Sequence, residues 1–125
     1  MTESQLKDRT KQLASKVLSF TETFPRSNGA DIIAKQLVRS ATSVAANYRS
    51  ACRGRSDAEM SVKLGIVEEE ADESQLWLEL VADKRYASEE LTAELWQEFD
   101  EIVAIMVASR RTIRGHIQRR GNKQR

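Results

Sequence analysis

Apolar residues recur every third or fourth position in four stretches of this chain, and short polar breaks separate them. That spacing is the signature of amphipathic helices. The first predicted helix covers residues 4–24, where Leu6, Thr10, Leu13, Val17, Phe20 and Phe24 form a narrow line. Pro25 should stop it, and Arg26-Ser27-Asn28-Gly29 reads as a turn. The second helix is expected over residues 31–52. Its inner arc is Ile33, Leu37, Ser40, Ala41, Val44, Tyr48 and Ala51, widened by Ala34, Val38, Ala45 and Cys52. Its outer side carries Lys35, Arg39, Arg49 and Arg53 with small residues between them.

Arg53-Gly54-Arg55-Ser56 is the turn on which residues 35–80 fold back as a pair of long helices. Gly54 suits a left-handed cap, and Ser56 with Glu59 makes a capping box that opens a third helix over residues 56–82. That helix has an inner row of Met60, Leu64, Val67, Ala71, Leu78 and Val81. A second row holds Val62, Ile66, Trp77 and Leu80, interrupted by Glu59, Glu70 and Glu73. Ser88 caps a fourth helix, with Glu89 and Glu90 at its positive end. Leu91, Leu95, Phe99, Ile102, Met106 and Ile113 are its expected core, and Trp96, Val103 and Val107 make a second row. Second rows on two helices exceed what a solitary bundle needs. Val62, Ile66, Trp77, Leu80, Trp96 and Val103 are therefore candidates for an interface between copies.

Four helices with short connections imply an all-α, antiparallel up-down-up-down bundle over residues 1–115. Residues 116–125 read as a basic, flexible tail. One proline and five glycines in 125 residues agree with a helical chain. A single cysteine excludes an internal disulfide framework and multi-cysteine zinc sites. No signal-like or membrane-spanning run occurs, so a cytoplasmic protein without membrane partners is the expectation.

The net charge of +1 conceals a strong polarity. Residues 26–55 hold six bases and one acid, residues 57–101 hold fifteen acids and three bases, and residues 110–125 hold seven bases and no acid. Such blocks must pair with one another or face a charged partner. Folding back at Gly54 sets Arg39 near the level of Glu70 and Arg49 near the level of Glu59, with Glu73 among the acids available for pairing. Structural ion pairs across the hairpin are the leading account of these charges, with Asn47 as a hydrogen-bonding device at the edge of the core. Nucleic acid competes for the same arginines. The candidates are Arg110, Arg111, Arg114, Arg119 and Arg120, together with Arg49, Arg53 and Arg55. A solvated basic tail is the plainer reading of the first five. No aromatic residue interleaves them, which argues against base-specific readout.

Catalysis has little to stand on. His116 lies among the terminal arginines, Cys52 falls on the apolar arc, and no glycine-rich phosphate loop occurs. A di-iron bundle needs Glu-x-x-His motifs, which are absent, so no metal, cofactor or enzymatic activity is expected.

The run from Phe24-Pro25 through Arg39, Ala41, Ser43 and Asn47, then Arg55, Ser56 and Glu59, resembles a pattern found in a bacterial family. Its last segment, Glu73, Ser74, Trp77, Leu78, Glu79 and Leu80, completes the likeness. The family is that of the four-helix-bundle ribosomal-RNA intervening-sequence proteins. Asn47-Tyr48-Arg49-Ser50-Ala51 and the Arg26–Gly29 turn depart from the commoner pattern, which suggests a subgroup. The resemblance implies a homopentamer. It also implies kinship with the accessory variability determinant of diversity-generating retroelements, which binds nucleic acid and assists a reverse transcriptase. Two functions follow: an oligomeric adaptor that carries RNA or DNA, or a structural module that binds protein through the Trp77 and Trp96 rows.

Overall fold

A computed structural model of the chain describes residues 1–123. It contains four helices: α1 (Glu3–Thr21), α2 (Asn28–Cys52), α3 (Asp57–Lys84) and α4 (Glu89–Lys123). No strand occurs among the described residues. The architecture is an all-α four-helix bundle. No helix is long and apolar enough to cross a membrane.

Each helix begins on a side-chain oxygen that satisfies backbone N–H groups left open by the first turn. Thr2 accepts from Gln5 N at 3.1 Å while Gln5 Oε1 accepts from Thr2 N at 2.9 Å, a reciprocal cap ahead of α1. Ser27 accepts from Ala30 N at 3.2 Å, which starts α2 three residues earlier than its apolar arc suggests. Ser56 accepts from Glu59 N at 3.1 Å and Ser88 from Leu91 N at 3.2 Å.

α1 ends at Thr21 rather than Phe24, because Pro25 restricts the backbone before it. Phe24 nevertheless packs, its ring edge-on to Phe20 at 5.3 Å and tilted against Tyr86 at 6.1 Å. α3 ends on Arg85, a left-handed residue at φ 56° whose N–H reaches Ala82 O at 3.2 Å. Tyr86 N then closes on Val81 O at 3.1 Å.

α1 packs on α2, α2 on α3 and α3 on α4, whereas α1 and α4 touch sparingly. The latter two are linked by the ion pairs Arg9–Glu101 and Lys16–Glu98. Val17, Phe20, Leu37, Val44, Leu64, Val67, Leu78, Phe99, Ile102 and Met106 fill the centre. Ser40, Ala41, Ala71 and Ser74 are small and fully covered, which lets α2 and α3 approach closely. The two serine hydroxyls meet at 2.7 Å, and Ser74 also donates to Glu70 O at 2.9 Å. Gln75, likewise buried, donates to Asp100 Oδ1 at 3.1 Å and towards Trp96 O at 3.4 Å. Contacts between α3 and α4 follow in opposite order along the two helices: Asp57 with Arg120, Glu68 with Arg110, Gln75 with Asp100, Glu79 with Trp96.

Two expectations need correction. The bundle does not end at Gly115, since α4 continues through it to Lys123 and Arg120 pairs with Asp57. Helix propensity in Arg, Gln and Ile outweighs two interior glycines, Gly115 and Gly121, and the first turn of α3 supplies a packing partner. Residues 124–125 of the expected tail lie outside the described residues. Leu91 is 40% exposed rather than core, because the first turn of α4 turns Thr92 and Leu95 inward instead.

These placements have measurable consequences. Leu95→Ala should cost about 2–5 kcal/mol in urea unfolding, whereas Leu91→Ala should cost less than about 1 kcal/mol. Arg85→Gly should raise stability by about 0.5–1 kcal/mol, since glycine accepts a left-handed backbone without a Cβ penalty.

Candidate nucleic-acid interface

The α2–α3 turn is stiff. Arg53 N bonds Ser50 O at 3.1 Å, Gly54 N bonds Ala51 O at 3.0 Å, and Glu59 accepts from Arg55 N at 2.8 Å. Gly54 is not the left-handed cap its position suggested, since no glycine among the described residues has positive φ; a Cβ there would instead lie 3.1 Å from Ala51 O, so the tight path suits glycine. Arg53 and Arg55 project from this turn into solvent. The contact between Arg120 and Asp57, the first residue of α3, brings the last turns of α4 alongside. With Ile113 turned inward, Arg111, Arg114 and Arg119 are exposed. Five exposed arginines thus come from two distant segments, Arg119 nearest the α2–α3 turn and Arg111 about 12 Å back along α4. His116 is exposed in the same stretch of α4.

Other arginines singled out from the sequence are already engaged. Arg110 Nη1 lies 3.3 Å from Glu68, its Nε is buried without a hydrogen-bond partner, and its guanidinium packs over Gly65. Arg110 and Arg120 therefore have acidic partners on α3, although the sequence around them holds none. Arg39 forks onto Glu70 at 3.1 Å and Glu73 at 2.6 Å. Its guanidinium is pushed to an even higher pKa, first by the hydrogen bond to Glu73 and then by the charge of Glu70.

Arg49 and Glu59 are not brought together. Ten residues separate Arg39 from Arg49, a rotation of about 1000°, which falls about 80° short of three full turns. When Arg39 faces α3, Arg49 faces α1, where it shares a groove with Lys7 and Lys11. Glu59 is spent on the backbone of Arg55. Asn47 is half-buried and donates to Ser43 O and Ser43 Oγ, both at 2.9 Å, so its hydrogen bonds stay within α2.

The candidate interface residues divide. Trp96 donates its indole N–H to Glu79 at 3.0 Å and packs with Val103 against the core. Their apolar character is explained within one chain, on the α3–α4 seam. Trp77 also packs on the core, with its indole nitrogen buried and lacking an acceptor. Ile66 and Leu80 are half-buried, while Val62 is 65% exposed.

Lys7 and Lys11, and the buried Gln75, belong to the charged and polar framework without standing out in the sequence. The spacing of the two lysines was the available signal; their partner surface on α2 depends on how α1 docks. Among the described residues, no three His, Cys, Asp or Glu side chains converge as metal ligands would.

Tyr48 is buried beside Cys52, and burial first, then the neighbouring Cys52 thiol, pushes its phenol well above the ordinary value of 10.0. Folding favours the neutral phenol, so this group leaves stability unchanged below about pH 10 and removes it as the pH climbs further. The urea midpoint should fall as the pH rises from about 10 to 12, and fall less in Tyr48→Phe.

The sequence profile of a family described as 23S rRNA-intervening sequence protein matches residues 2–108. The chain is also similar to a solved structure from Bacteroides thetaiotaomicron VPI-5482, a protein with unknown function from the S23 ribosomal protein family. The two are 27% identical, with a TM-score of 0.79 over 89% of this chain and 99% of that one. No curated protein matches. The matched stretch ends before Arg110, so the arginines of the α4 extension lie beyond it. With a profile spanning most of its length and the same fold in a solved relative, the chain belongs to the 23S rRNA-intervening sequence protein family.

Proposed function

We propose that this chain is a non-enzymatic, self-associating adaptor that holds RNA or DNA by the phosphate backbone at its arginine-rich end. The observation that carries the proposal is the Arg120–Asp57 contact, which brings the last turns of α4 beside the turn that carries Arg53 and Arg55, with Arg111, Arg114 and Arg119 exposed on the same helix. Phosphate contacts add steeply, and repetition of this end in an assembly of copies multiplies them. The reversed order of contacts between α3 and α4 supports an antiparallel up-down-up-down bundle, and the family resemblance supports a pentameric ring. The basic stretch contains no Phe, Trp or Tyr on which bases could stack, so binding is tolerant of sequence. Such a protein acts in the cytoplasm as an accessory to RNA or to a reverse transcriptase.

A second reading has one observation in its favour. Ile32, Val62 and Leu76 are 61%, 65% and 48% exposed, which suits a module whose partner is a protein.

Binding to mixed-sequence RNA and single-stranded DNA over a salt series separates the two. The adaptor binds at low salt, with log affinity falling linearly as log salt rises. Replacing Arg111, Arg114 and Arg119 together by Ala should reduce that slope by about 2, from about 0.7 per lost contact on single strands. Helicity should be retained. Retention indifferent to salt, or no binding at low salt, contradicts the adaptor and leaves the protein-binding module.

A further inference from the structure

Two surfaces remain outside this account. The first is the groove between α1 and α2, about 380 Å³ in volume. Lys7, Lys11 and Arg49 stand along it, over small residues Thr42, Ala45 and Ala46. None of these three cations forms an ion pair among the described residues. Leu18, 45% exposed, lies on the same side of α1 further along. The second is the outer face of α3. Val62, Glu69 and Leu76 follow one another at seven-residue spacing, so they form a nearly straight ridge about 21 Å long. Val62 and Leu76 are well exposed, and Glu69 between them forms no ion pair among the described residues.

The two surfaces are complementary. A cationic groove with a small-residue floor can take an acidic ridge with bulky ends. We propose that the α3 ridge of one copy seats in the α1–α2 groove of the next, with Glu69 facing Lys7, Lys11 and Arg49 and with Leu76 reaching towards Leu18. Groove and ridge lie on different faces, so the contact is head-to-tail and closes into a ring when the rotation between copies permits. The Coulomb match sets the register, and Val62 and Leu76 supply the apolar area. This inference rests on the proposed self-association and adds the surfaces that mediate it.

Light scattering on a sizing column tests it with the wild type, Lys11→Glu, Glu69→Lys, an equimolar mixture of the two, and both changes in one chain. Both residues are exposed, so circular dichroism should match the wild type. The wild type is expected to assemble. Each single variant should need at least tenfold higher concentration to do so. The mixture and the double variant should recover, because each reversed groove then meets a reversed ridge. A wild type that is monomeric throughout overturns both this contact and self-association. An assembled wild type whose single variants stay assembled overturns this contact alone. Dissociation without recovery in the mixture overturns the pairing of these surfaces. Loss of binding to a mixed-sequence oligonucleotide by Lys11→Glu at unchanged mass makes the groove an anion site, and the proposal fails.

Discussion

The structure depends on the acidity of α3. This helix lies between α2 and α4 and takes charge from both. Glu70 and Glu73 hold Arg39 of α2, Glu68 holds Arg110, and Asp57 holds Arg120 of α4. The pairs are partly exposed, so each adds little to stability by itself. Their effect is on register: each pair is met only when the helices slide to one alignment. Beneath them, the Ser40–Ser74 bond and the covered alanines permit the close approach that makes this alignment dense.

This allocation of charge leaves a remainder, and the proposed function rests on it. α3 offers no acid to Arg111, Arg114 or Arg119, and the α2–α3 turn spends Glu59 on a backbone N–H. The leftover positive charge therefore collects at one end of the bundle, while Lys7, Lys11 and Arg49 collect in the groove on the far side of α2. A protein built only for stability would gain from acids at these positions. Retained like charge at close quarters is costly unless an anion is present part of the time.

Much of the architecture was legible in the sequence because it is local. Capping serines, the Gly54 turn and three-four spacing of apolar residues each act over a few positions, and helix edges other than the end of α4 differ by only a few residues. The pairing of Arg39 with Glu70 was legible too, since counting outward from a hairpin turn gives the level of each residue; Glu73, one turn further along α3, completes the fork. Level is only half of the geometry. Azimuth sends Arg49 towards α1, and no count along the hairpin contains that. Trp96 and Val103 look surplus in a single helix, yet they serve the seam with α3. The passage of α4 beyond Gly115 depends on the first turn of α3 lying alongside, a contact between residues 63 positions apart.

The central claim is that paired and unpaired arginines have separate duties. Side-chain nitrogen resonances of the arginines, followed while a mixed-sequence single-stranded RNA is added at low salt, test it directly. Signals of Arg53, Arg55, Arg111, Arg114 and Arg119 should shift, while those of Arg39 and Arg110 stay in place. Equal movement of the paired arginines, or stillness in the unpaired ones, would contradict the account.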